Sequence, residues 1–206
     1  MSEEWFRNTS WNETIARRFH EKLHRARRKG QYLRIQAFTL ASTNPEIALA
    51  LLDEYFVSPG DVDRAQAYEV RATALLALGR TEAAIESYEA ALRWEAEFPS
   101  VQTQAYLDLP FLIAVRGIEG GYGQAVALLE KHKARVVFPV ERFRWHAAQC
   151  LILAARGDSS AAKLHAQLAL EAAQSDHSGF RYHASLGLVG EQYQELRSAL
   201  ERCLDA

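Results

Sequence analysis

Residues 65–99, AQAYEVRATALLALGRTEAAIESYEAALRWEAEFP, constrain the fold more than any other stretch of the chain. Tyr68, Ala72 and Leu75 are followed by Gly79, then by Ala84, Tyr88 and Ala91, and finally by Pro99. Those offsets give two short helices that pack against each other at close range. Ala72, Ala84 and Ala91 sit where the backbones approach, and the larger side chains fill the gaps between them. Gly79 supplies the left-handed residue that reverses the chain. Such a pair cannot bury its own apolar face, so it requires neighbours stacked on both sides.

Similar pairs can be laid out along the rest of the chain. Upstream, over 31–57, QYLRIQAFTLAS leads through Asn44–Pro45 into EIALALLDEYF, with Ala48, Leu52 and Tyr55 in the second-helix places. Tyr55 puts a ring where the 65–99 pair has alanine. Over 100–136, VQTQAYLDLPFLIAVRG carries Pro110 inside its helix, and a turn rich in glycine (Gly117, Gly120, Gly121, Gly123) leads to GQAVALLEKHKARVV. That glycine spacing fits neither a dinucleotide fingerprint nor a P-loop. Over 140–175, VERFRWHAAQCLILAARG and DSSAAKLHAQLALEAA form a second clear copy, with Gly157, Ala162 and Ala169 in register. Phe143-Arg144-Trp145-His146-Ala147 recurs as Phe180-Arg181-Tyr182-His183-Ala184, shifted by 37 residues. The echo predicts a first helix over 180–189 and a degenerate terminal unit over 178–206, closed by a polar helix near 191–204. At the other end, residues 1–29 hold an N-terminal segment and a capping helix that starts at Asn12.

The periodicity and residue types of 65–99 resemble the tetratricopeptide repeat, a unit of about 34 residues. The resemblance implies an all-α fold, a right-handed superhelix of stacked helix–turn–helix repeats. It also implies a non-catalytic scaffold that holds a protein or peptide on its concave wall, with no cofactor and no metal. Carried over residue by residue, that wall takes Gln66, Glu69, Thr73, Gln104, Phe111, Arg144 and Arg181. Two arginines one repeat apart suit an acidic or carboxylate-bearing segment, or they are ordinary solvated or salt-bridged residues. The family's clamp for C-terminal carboxylates uses Lys and Asn, which the matching positions here lack. His146 and His183 take a packing position and are expected between helices.

Other signals compete with this reading. His20-Glu21-Lys22-Leu23-His24 matches the HExxH signature, in which two histidines one turn apart chelate zinc and the glutamate is the base. It gives the alternative of a small zinc hydrolase, with a third ligand from Glu46, Asp53 or Glu54. The flanking Arg17, Arg18, Lys22 and Arg25 oppose a dication. With Arg27, Arg28, Lys29 and Arg34 they form a local basic face, matched by the acidic Glu46, Asp53, Glu54, Asp61 and Asp63. That face either pairs with the acidic stretch, is solvated, or docks an acidic partner; nucleic acid is disfavoured. Trp5, Phe6 and Trp11 either fold back as a plug or mediate self-association of a structural subunit. A net charge of −2 excludes a general polyanion binder. Without an apolar run of spanning length or a secretory core, the expectation is a cytoplasmic chain with reduced thiols at Cys150 and Cys203.

Overall fold

The computed structural model describes residues 4–57 and 63–205. Ten α-helices and three short 3-10 turns account for its regular structure, and no strand occurs among the described residues. No described helix is long and apolar enough to cross a membrane. The chain divides into two compact units, residues 1–105 and 106–206. Within each, consecutive helices pack on one another, as a helical repeat requires.

The first unit contains α1 (Glu13–Arg25), α2 (Lys29–Leu40), α3 (Pro45–Val57), α4 (Arg64–Ala77) and α5 (Thr81–Glu97). Asn12 caps α1 by accepting the Ile15 N–H at 3.0 Å. Pro45 opens α3, where its missing N–H costs nothing. Tyr55 is fully buried in a core shared with Phe19, Leu40, Leu52 and five alanines, so the ring in the alanine place is accommodated. The N-terminal rings fold back: Trp5 lies 4.8 Å from Tyr32 and 5.5 Å from Phe19, and Trp11 lies 5.5 Å from Phe19. Asn8 ties the segment to α2 through hydrogen bonds with Gln36. Ala72, Ala84 and Ala91 have no exposed surface, as their places in the 65–99 pattern demand.

The second unit follows with α6 (Ala105–Val115), α7 (Tyr122–His132), α8 (Pro139–Ala155), α9 (Ser159–Ala173) and α10 (Gln194–Asp205). The helix α6 starts at the unit boundary and carries Pro110 in its interior. The α8–α9 pair meets over Ala147, Ala162, Ala166 and Ala169, all fully buried. Trp145 joins α8 to α7 by donating its indole N–H to the Leu129 carbonyl at 3.1 Å. Packed on both α9 and α8, α10 buries Leu200.

One cap recurs three times. After α4, Gly79 at φ 71° lets Arg80 N–H reach the Leu75 carbonyl at 2.9 Å and Gly79 N–H reach Leu76 at 3.0 Å. These two bonds are the Schellman pattern, which satisfies carbonyls that the helix end leaves open. The same pair of bonds closes α6 at Gly117 and α8 at Gly157.

The expected helix over 180–189 does not form. Residues 174–190 run as turns and irregular chain, with Gly179 and Gly187 at positive φ. A helix is incompatible with those two conformations, and Ser178 competes for the backbone with its own hydrogen bonds. The helix near 191–204 is present as a 3-10 turn at Glu191–Tyr193 and α10.

A Cβ at residue 79 would meet nothing within 4 Å, so its cost is purely conformational. Gly79→Ala should therefore destabilise the protein by roughly 1–2 kcal/mol in urea unfolding. Gly120→Ala, at an open position without positive φ, should leave stability nearly unchanged.

Candidate functional site

Two predicted wall residues of the first unit, Glu69 and Thr73, are drawn into structural bonds. Glu69 accepts the Gln104 N–H at 2.8 Å, and Thr73 donates its hydroxyl to the Glu69 carbonyl at 3.2 Å. Close by, buried Glu95 accepts both the N–H of Thr103, at 2.6 Å, and its hydroxyl. Two carboxylates thus hold the N–H groups that lead into α6, where a helix start favours negative charge. Gln66 is partly buried, with its side-chain oxygen enclosed, and the Gln104 side chain faces solvent.

In the second unit Arg144 is committed internally. Its Nη2 donates to Asp108 Oδ1 at 2.6 Å, with both side chains largely buried. Its guanidinium lies 4.6 Å over the Phe111 ring, and Phe111 also meets Tyr193 edge-on at 6.2 Å. Burial pushes the Asp108 carboxyl above its ordinary value, and Arg144 pulls it back. The pair therefore serves the fold, and freeing Arg144 for an anionic ligand would strand a buried carboxylate.

Arg181 has a different setting. Ser178, almost fully buried, anchors its turn: its N–H donates to the Ala184 carbonyl at 2.7 Å and its hydroxyl to the His183 carbonyl at 2.6 Å. The same hydroxyl accepts the Phe180 N–H at 3.1 Å. Gly187 fastens the turn to α8, because its carbonyl accepts the Val140 N–H at 2.8 Å. Only glycine fits there: a Cβ would fall 2.6 Å from the Phe138 ring. Phe180 stacks on Phe138 at 5.2 Å. The anchored turn displays Arg181, with its guanidinium 5.4 Å over Tyr182, and Tyr182 is 81% exposed. Phe180 and Leu186 remain 43% and 53% exposed beside them. Tyr182, Phe180 and Leu186 were missed in the sequence because the echo of 143–147 assigned them to a helix. The closely spaced Ser178, Gly179 and Gly187 were the available signal for a turn.

His183 also lies on this turn, exposed rather than packed between helices. His146 is packed as expected, but against a partner absent from the sequence reading. Its Nδ1 lies 3.0 Å from Nδ1 of His165, so one ring donates and the other accepts. Burial, then His165, then Lys133 lower the His146 pKa to about 4; burial also lowers that of His165. A shallow pocket of about 290 Å³ borders His146, lined by Arg142, Leu168, Glu171, Ala172 and Ser175.

On α1, His20 uses both nitrogens: Nδ1 bonds the Ala16 carbonyl at 2.8 Å and Nε2 lies 3.2 Å from Glu54 Oε1. Neither Glu46 nor Asp53 joins them. Asp53 pairs with Arg71 at 3.3 Å, and no group of three His, Cys, Asp or Glu suited to a metal occurs among the described residues. The basic face reaches its acidic neighbour through the Arg34–Asp63 ion pair at 3.3 Å. Arg17, Arg18, Arg25, Arg27, Arg28 and Lys29 are exposed, and Asp61 lies outside the described residues.

No known family model, curated protein or solved structure matches this chain.

The histidine pair gives stability a defined pH dependence. With the folded pKa depressed, the unfolded chain binds protons first as pH falls, so stability is full above about 6.5 and declines towards about 4. Urea unfolding across that range should show a shallower decline for His146→Phe than for the wild type. Parallel declines would remove the pair as a cause.

Proposed function

We propose that the chain is a non-catalytic binding module that recognises a protein or peptide segment carrying acidic and apolar residues. The observation that carries this reading is the anchored turn at 178–187, which presents Arg181 and Tyr182 to solvent with Phe180 and Leu186 beside them. Arg and Tyr are the residue types that most often supply binding hot spots. A turn held by its own hydrogen bonds loses little further freedom when a partner docks. Arg181 would bind the partner's carboxylate, and the three apolar side chains would receive its apolar residue.

The helical pairs support a scaffold of the tetratricopeptide type, in which each pair needs its neighbours for burial. The anionic contact of that scaffold falls to Arg181, because Arg144 is neutralised by Asp108. Gln66, Gln104 and Phe111 would frame the helical walls, while Glu69 and Thr73 act mainly through their bonds within the fold.

Selection of random peptides by display on the full chain, followed by titration of the winners, tests this proposal. The selected peptides should be enriched in Asp and Glu next to an aromatic or aliphatic residue. Arg181→Ala with Tyr182→Ala should weaken them at least about tenfold, the effect of losing one hot-spot residue. Unchanged affinity in the double variant would move the interface off this turn.

A further inference from the structure

Cys150 on α8 and Cys203 on α10 are far apart in the chain, yet their sulfurs lie 3.5 Å from each other. Both thiols are free. Cys150 is 1% exposed, enclosed with Phe143, Ala147, Ala166 and Leu200, whereas Cys203 is only partly buried at the edge of the same cluster. A disulfide needs a sulfur separation of about 2.05 Å, so the two atoms must close by about 1.5 Å. Small side-chain and helix adjustments at the edge of α10 cover that travel. We propose that Cys150 and Cys203 form a reversible intrachain dithiol–disulfide couple that clasps α10 to α8, with a small-molecule disulfide of the glutathione type as oxidant.

Exposure sets the order of events. The Cys203 thiolate attacks one sulfur of the oxidant, forming a mixed disulfide and expelling one glutathione thiolate, which takes up a proton. Cys150 then loses its proton and attacks the Cys203 sulfur. The protein disulfide forms, the mixed disulfide breaks, and the second glutathione leaves. Two protein thiols are oxidised and one oxidant disulfide is reduced to two thiols. Cys150 suits the second role: burial first, then its hydrogen bond to Cys203, push its thiol up to about 12, so it does not start the exchange itself.

The clasp changes how α10 is held. In the dithiol form α10 stays in place through Leu200, which is fully buried, with Tyr193 and Leu196 partly buried beside it. Oxidation adds a covalent tie across a long loop, which restricts the unfolded chain and opposes local opening of α10. This inference is independent of the docking turn.

Purified full-length protein in a glutathione redox buffer, acid-quenched and then treated with N-ethylmaleimide in denaturant, provides the test. Intact mass should show a species about 2 Da lighter, the loss of two hydrogens, carrying no maleimide. Dithiothreitol should restore two reactive thiols. At the same buffer ratio the native chain should be more oxidised than the urea-unfolded chain, because the fold holds the sulfurs together. Amide exchange in α10 should slow in the oxidised form. Cys150→Ser should stop at a glutathione adduct on Cys203. Two maleimide adducts at every buffer ratio, a wild-type adduct on Cys203 that never closes, or equal oxidation of native and unfolded chains would each overturn the proposal.

Discussion

Close approach of paired helices over alanine is the constraint on which the rest of this structure depends. Ala72, Ala84 and Ala91 in one pair, and Ala147, Ala162, Ala166 and Ala169 in another, are fully buried. Side chains that small allow two helix backbones to approach closely, since the separation of packed helices depends on the side chains at the contact. Each position is then sensitive to added volume, since overpacking a dense interface costs about 1–3 kcal/mol. Close pairing also requires an abrupt chain reversal. The Schellman caps at Gly79, Gly117 and Gly157 supply it three times with the same two hydrogen bonds.

Helices packed this way leave the polar side chains of the wall little freedom. Glu69 and Glu95 hold the backbone leading into α6, and Glu141 accepts the N–H groups of Val137 and Phe138 before α8. Asp108 holds Arg144. Unsatisfied N–H groups at helix starts attract carboxylates wherever the fold brings them within reach. Residues that the repeat pattern assigns to a ligand-facing wall thus also make bonds within the fold. The exposed Tyr182, Phe180 and Leu186, with Arg181 beside them, lie where the helical pattern breaks.

The helical hairpins were legible because their determinants are local: apolar spacing, a glycine at the reversal and proline at helix starts. Helices α2 to α5, α8, α9 and α10 fall close to the places the pattern assigns. The folding back of Trp5, Phe6 and Trp11 was legible as one of two alternatives, from the cost of leaving such rings in water. Of the side chains proposed to meet a partner on the 178–187 turn, the sequence pointed to Arg181 alone, and it placed that residue on a helix. The motif shared by 143–147 and 180–184 copies residue types, but Gly179, Gly187 and Ser178 impose a different backbone on the second copy. Pairs such as Arg144–Asp108, His146–His165 and Cys150–Cys203 join distant positions. No periodicity announces them, because either partner alone looks like an ordinary helix residue.

The central claim is that a scaffold of paired helices presents a preformed turn, fixed before any partner arrives. Residue-resolved hydrogen exchange on the free protein tests it most directly, because two of the bonds that define the turn have their own reporters. The amides of Ser178 and Val140, bonded to Ala184 and Gly187, should exchange far more slowly than unstructured peptide. Such protection would show that the turn is built into the native state. Exchange of both amides at the rate of unstructured chain, with the α8–α9 pair protected, would contradict a preformed docking surface.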